Sequence, residues 1–173
     1  NLDILLLHIF IFWHLWEIVL KCYLRAFTGK MIKKIFDKKK LIALIIKPKK
    51  IKKRGANFVT PVNFNQQLGV INYPKNHFIT PHTHKKYLRK VKRTSEVLLI
   101  QKGVLRTDFY NKNKKYLFSK VLREGDIIFL HESHHGFKVL ENCSILEIKQ
   151  GPYIKLADKV LFKKVDEKKI KYK

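Results

Sequence analysis

From Asn57 onward, short apolar runs alternate with turn chemistry, and this punctuation narrows the choice of fold more than any other feature. LGVINY (68–73), HFITPHTH (77–84), EVLLIQ (96–101), VLRTDFYN (104–111), YLFSKVL (116–122), DIIFL (126–130), GFKVLE (136–141) and CSILEIK (143–149) are rich in β-branched and aromatic residues. Between them stand Tyr73–Asn76, Lys102–Gly103, Asn111–Lys114, Glu124–Asp126 and Glu141–Asn142, all residues that favour turns. Eight short strands at roughly 8–12-residue spacing predict an all-β sandwich or barrel. A double-sheet jelly roll accommodates them best.

Within this pattern, PHTHKKYLRKVKRTSEVLLIQKG (81–103) carries the candidate chemistry. Residues two apart on a strand share a face, so His82 and His84 can offer both imidazoles to one ion. Glu96 opens the next apolar run and adds an oxygen donor if that run pairs beside the first. His135 is the best third imidazole, because it shares one side of GFKVL with Phe137 and Val139, the side expected to face the interior. His134 replaces it if the loop register slips by one, and His131 is a further competitor. Such a set suits a divalent transition metal (iron, manganese, zinc, nickel or copper) with positions left for water or substrate. The simpler alternatives are a polar strand end for the HxH pair and an ion pair to Arg89 or Arg93 for Glu96.

The order HxH, then Glu96, six residues and Gly103, followed by a second motif opening with Gly125-Asp126 and ending on a histidine, resembles the cupin pattern. More narrowly, NFVTPVNFNQQLGVINYPKNHFITPHTH, TSEVLLIQKGVLRTDFY and GDIIFLHESHHGFKVLENCSILEIKQGPY are similar to small single-domain bacterial cupins of unassigned activity, over about residues 57–162. The resemblance implies a double-stranded β-helix (jelly-roll barrel) with an extra N-terminal segment, and it puts His82, His84, Glu96 and His135 on the family's metal-ligand positions. Related proteins often belong to surface-polysaccharide biosynthesis, which implies a sugar or sugar-nucleotide substrate. Two departures stand out: 11 residues separate His84 from Glu96 where the general pattern has three or four, and His131 and Ser133 occupy positions near the usual proline and glycine of the second motif.

The expected organisation is an apolar segment at 1–30, a basic arm at 31–56, the barrel at 57–162 and a charged tail at 163–173 that frays. The apolar run Ile4–Leu20 approaches the length of a membrane span and is followed by Lys21, Arg25 and Lys30, but His8, His14 and Glu17 interrupt it. Met31 is the single methionine, so translation starting there, with residues 1–30 as upstream sequence, is the favoured reading; a membrane anchor and a cleaved or amphipathic segment are the alternatives. LIALII (41–46) is a strand or a short helix, since six residues do not decide the period.

A net charge of +25 would ordinarily point to nucleic acid. Here 32 lysines against six arginines, with only four alanines, match an AT-rich coding bias and spread along the whole chain, so a solvated lysine surface is preferred. Cys22 and Cys143 make neither a disulfide framework nor a CxxC pair, which fits the cytoplasm. Arg106, Asp108 and Tyr110 alternate with Leu105, Thr107 and Phe109, and the polar face is expected to meet solvent. Function is expected to be a metal-dependent enzyme acting on a small molecule. A non-catalytic ligand sensor and a basic nucleic-acid-binding protein are the alternatives, and a homodimer is a compatible assembly.

Overall fold

The computed structural model describes residues 30–153 and 159–173; the apolar segment before Lys30, with Cys22 and the anchor or leader expected there, lies outside the described residues. Met31–Lys173 form one unit. Its strands are β1 (Ile32–Asp37), β2 (Lys40–Ile46), β3 (Gly55–Phe58), β4 (Gly69–Asn72), β5 (Ser95–Tyr110), β6 (Tyr116–Arg123), β7 (Ile127–His131) and β8 (His134–Lys149). Two short 3₁₀ turns, Pro48–Lys50 and Glu167–Lys169, are the helical elements among the described residues. The fold is therefore all-β, of the β-barrel or jelly-roll kind.

Every strand pairing is antiparallel. One sheet runs β1-β2-β7-β5-β6, with β8 along the other edge of β5, and β3-β4 make a separate ribbon. The six-stranded sheet curls strongly: Ile35 from β1 and Leu122 from β6, at opposite ends of the path, lie in the same buried cluster with Ile42, Leu98, Ile100, Leu105, Phe109, Ile128 and Leu130. The outer face packs Leu44, Ile46, Val97 and Phe129 against Ile51, with Phe64, Leu68 and Val70 around them. Strand β2 is buried on both faces, which explains its uninterrupted apolar run: Ala43 and Ile45 enter the inner cluster, Leu44 and Ile46 the outer one. Residues 31–56, expected as a basic arm, thus supply two strands and part of both cores. Their lysines lie mostly at exposed positions beside buried isoleucines, so a high lysine content coexists with strand structure.

Gly103 governs the shape of the longest ladder. EVLLIQ and VLRTDFYN were expected as separate strands with a turn between them; instead β5 continues through Lys102–Gly103 with successive register shifts against β8. Gly103 has φ +85, and a β-carbon there would lie 2.0 Å from the Asn142 carbonyl oxygen, so glycine is required both for the conformation and for the close approach of β8. Before this bulge Leu98 and Ile100 face the inner core; after it Leu105 and Phe109 do. The change from even to odd numbers keeps one apolar face turned inward around the bend. Likewise GFKVLE and CSILEIK are one strand, β8, passing through Glu141–Asn142.

Two other expectations are overturned. HFITPHTH forms no strand: residues 73–93 have no regular ladder, and every one from Tyr73 to Arg93 is exposed. The period-2 pattern was present, but among the described residues no strand offers it backbone partners. The tail does not fray either. Its main chain bonds to β6 through Ser119, its Val165 N–H donates to the Tyr110 hydroxyl at 3.1 Å, and a parallel bridge links Ser119 to Tyr172.

Candidate functional site

The bend at Gly103 decides which residues meet. Glu96 and Phe109 are 13 positions apart on β5, a distance of roughly 40 Å along a straight strand. His135 sits opposite Phe109 in the ladder. Yet His135 Nε2 lies 3.1 Å from Glu96 Oε2, so the β5–β8 ribbon folds back until its ends touch. Both side chains are largely buried, at 20% and 13% exposure. His135 Nδ1 is 3.3 Å from the Ser133 carbonyl oxygen, and the ring packs 5.1 Å from that of Phe137. The hydrogen bond from His135 holds the Glu96 carboxyl below its ordinary value, outweighing the opposing effect of burial. At neutral pH Glu96 is an ionised acceptor with one oxygen on the ring.

This pair lines a cavity of about 680 Å³, within the range typical of small-molecule sites. Leu130, Phe137 and Tyr110 supply its apolar wall from the sheet, and Val160, Leu161 and Phe162 line it from the tail. Lys92, Arg93, Lys159 and Lys164 add positive charge. His134 also lines it; burial, reinforced by Arg93 and nearby lysines, pushes its imidazole down, which favours the neutral ring. The Glu132 backbone, at φ +47, turns the chain from β7 into β8 and so presents His134 and His135 in sequence.

The four residues expected to gather do not form one cluster. His82 and His84 lie together on the exposed segment 73–93, their rings 5.4 Å apart and edge to face, with His82 Nδ1 2.9 Å from the Thr80 carbonyl oxygen. Glu96 and His135 lie together in the cavity wall. Protein-held transition metals generally take three or more side-chain donors. Among the described residues no group of three or more His, Cys, Asp or Glu side chains that could hold an ion is formed. As arranged, the donors do not fit the four-ligand centre, because the segment carrying the HxH pair is not in a strand beside β5. The competitor His131 has a different setting: its Nδ1 is 3.1 Å from the Ser95 hydroxyl, Phe64 stacks on it at 3.8 Å, and burial lowers its affinity for a proton.

His135 shares its side of β8 with Phe137 and Val139, but that side is not the buried interior expected of it: Phe137 and Val139 are exposed, although their ladder partners Thr107 and Leu105 are buried. The polar face of Arg106, Asp108 and Tyr110 is a correction of the opposite kind, for all three are buried. The Arg106 guanidinium donates to both oxygens of Asp108 and of Glu167, at 2.7–3.1 Å, and Ser119 donates to Asp108. A charged residue from the tail, invisible to local periodicity, covers what looked like a solvent face.

The cavity residues from the tail were not anticipated. Their only local signal is the apolar triplet Val160–Phe162 amid lysines. Fold and cavity together define a class: an antiparallel all-β protein with an open, small-molecule-sized cavity against its curled sheet and a carboxylate–imidazole pair in the wall. Set against known proteins, the chain matches no family model, no curated protein and no solved structure. Among the described residues no helix is long and apolar enough to cross a membrane.

Proposed function

We propose that this chain is a cupin-like small-molecule enzyme in which Glu96 and His135 move a proton on a polar substrate, a sugar or sugar derivative being the favoured class. The observation that supports the reading is the 3.1 Å contact of Glu96 with His135 in the wall of the cavity. An ionised carboxylate in contact with an imidazole fixes the orientation of the ring, which is what positioned proton transfer requires. Phe137 and Phe162 exclude water from one side of the bound molecule, and neutral His134 can accept or donate a hydrogen bond beside the pair.

Turnover or binding across a panel of sugars and sugar phosphates tests this reading. Glu96→Gln and His135→Ala are expected to lower kcat by about 100-fold or more while leaving the fold and most of the ligand affinity intact. Full activity in both variants would remove the proposed chemistry, and a ligand-binding protein without turnover would become the better description.

A metal-dependent version of the same reading starts from two of its four expected ligands, Glu96 and His135, which are in contact. It requires His82 and His84 to join them. Elemental analysis of the purified chain decides between the versions. One bound metal ion per chain, lost in the His82→Ala/His84→Ala variant, supports the metal version, and a metal-free active protein supports the proton-transfer pair alone.

A further inference from the structure

The charges around the cavity are unevenly matched. Its carboxylates already have partners: Glu96 has His135, Glu132 accepts from Lys40, and Glu147 lies 4.0 Å from Lys149. Its cations Lys92, Arg93, Lys159 and Lys164 make no close ion pair among the described residues, although Lys159 acts on Glu96 and Arg93 on Glu132 from further off. Four cations around a partly apolar, partly enclosed space raise the local potential and attract an anion more strongly than scattered surface lysines do.

Phe137, Leu161 and Phe162, which line the same space, offer an apolar surface for the flat body of a small molecule.

Resting on the small-molecule reading of this cavity, we infer that its ligand is an organic phosphate: an anionic phosphoryl group held by Lys92, Arg93, Lys159 and Lys164, joined to a ring that packs on Phe137 and Phe162. Two cations come from the segment before β5 and two from the tail, so binding bridges parts of the chain distant in sequence. The ligand would tie the tail to the sheet at a second place, beside the Arg106–Glu167 contact. A carboxylate carries less charge than a phosphate and would use the four cations less fully.

The test is titration calorimetry on the full chain at physiological ionic strength, with glucose 1-phosphate, glucose and inorganic phosphate as probes. Glucose 1-phosphate is expected to bind at least about 10-fold more tightly than either fragment, and Lys159→Met/Lys164→Met to weaken it by about 10-fold or more. The remote pair Lys52→Met/Lys53→Met serves as the control for the chain's overall positive charge and should change little. Equal weakening by both pairs would reduce the effect to general charge and overturn the inference. Binding of glucose as tight as that of its phosphate, lost in His135→Ala, would overturn the phosphate assignment and leave the small-molecule reading standing. Absence of binding by all three probes would count against both.

Discussion

Gly103 shows how much one residue decides. An alanine there would have to adopt φ near +85 and displace the Asn142 carbonyl, which stands 2.0 Å from the site of its β-carbon. The obstacle is backbone rather than a flexible side-chain end, so relief means shifting β8. We expect Gly103→Ala to cost about 2–4 kcal/mol, from the positive φ together with the loss of ladder hydrogen bonds, as measured by urea unfolding. Because the same bend brings Glu96 to His135, the variant should also lose ligand binding at temperatures where it stays folded. A variant with unchanged stability would mean that the ladder does not need this bulge. Lys120 shows a residue held at a cost: buried on β6 beside Lys33 and Lys173, its amine is pushed down to about 8, first by burial and then by the neighbouring ammonium of Lys33.

At the scale of elements, the tail and the segment 73–93 behave in opposite ways. The tail is attached through charge: Arg106, buried on β5, reaches out to Glu167, which Lys138 also contacts at 3.0 Å. These two hydrogen bonds hold the Glu167 carboxyl down to about 2, against an ordinary value of 4.5. A carboxylate whose value is depressed on folding stabilises the attachment above its unfolded value and loses that contribution as the pH falls. The tail should therefore stay docked above about pH 4.5 and loosen progressively between 4.5 and 2. Hydrogen exchange at the Val165 amide, which donates to Tyr110, reports this directly. In Glu167→Gln the amide should exchange faster at neutral pH and lose the acid dependence in that window. A pH-independent rate in the unaltered chain would show that the apolar contacts of the tail, not the ion pair, hold it.

Residues 73–93 carry exposed Phe78, Ile79, Tyr87, Leu88 and Val91 and a dense set of basic residues, with no ladder bonds among the described residues. Such backbone opens easily. Brief trypsin treatment should cut first between Lys85 and Arg93, well before the lysines on β2 or β6. Earlier cleavage within the paired strands would contradict the arrangement.

For the whole molecule, the curl of one sheet joins the parts into a unit. Strands from both ends of the hydrogen-bonded path bury side chains in one cluster, so Ile35 and Leu122 depend on each other although 87 positions apart by their numbers (122 − 35). The β5–β8 ladder joins segments up to 53 positions apart (149 − 96), and it is the one that passes through the bend at Gly103. The cavity belongs to this scale as well, since β5, β7, β8 and the tail all contribute to it.

The sequence by itself determined the class of fold and most of its strands. β-branched runs between turn residues have few other solutions, and alternation alone puts Leu105 and Phe109 on a buried side. It also named Glu96 and His135, whose side chains lie 3.1 Å apart, together with His82 and His84, which sit on the exposed segment. What only the tertiary structure decided was everything that depends on a distant partner. HFITPHTH has a strand's pattern and forms no strand, because a ladder needs a second chain segment to supply its hydrogen bonds. The polar face of Arg106 and Asp108 has a surface pattern and is buried, because a glutamate 61 residues onward covers it. Local pattern records what a segment prefers, while burial and pairing are settled by which remote segment arrives to meet it.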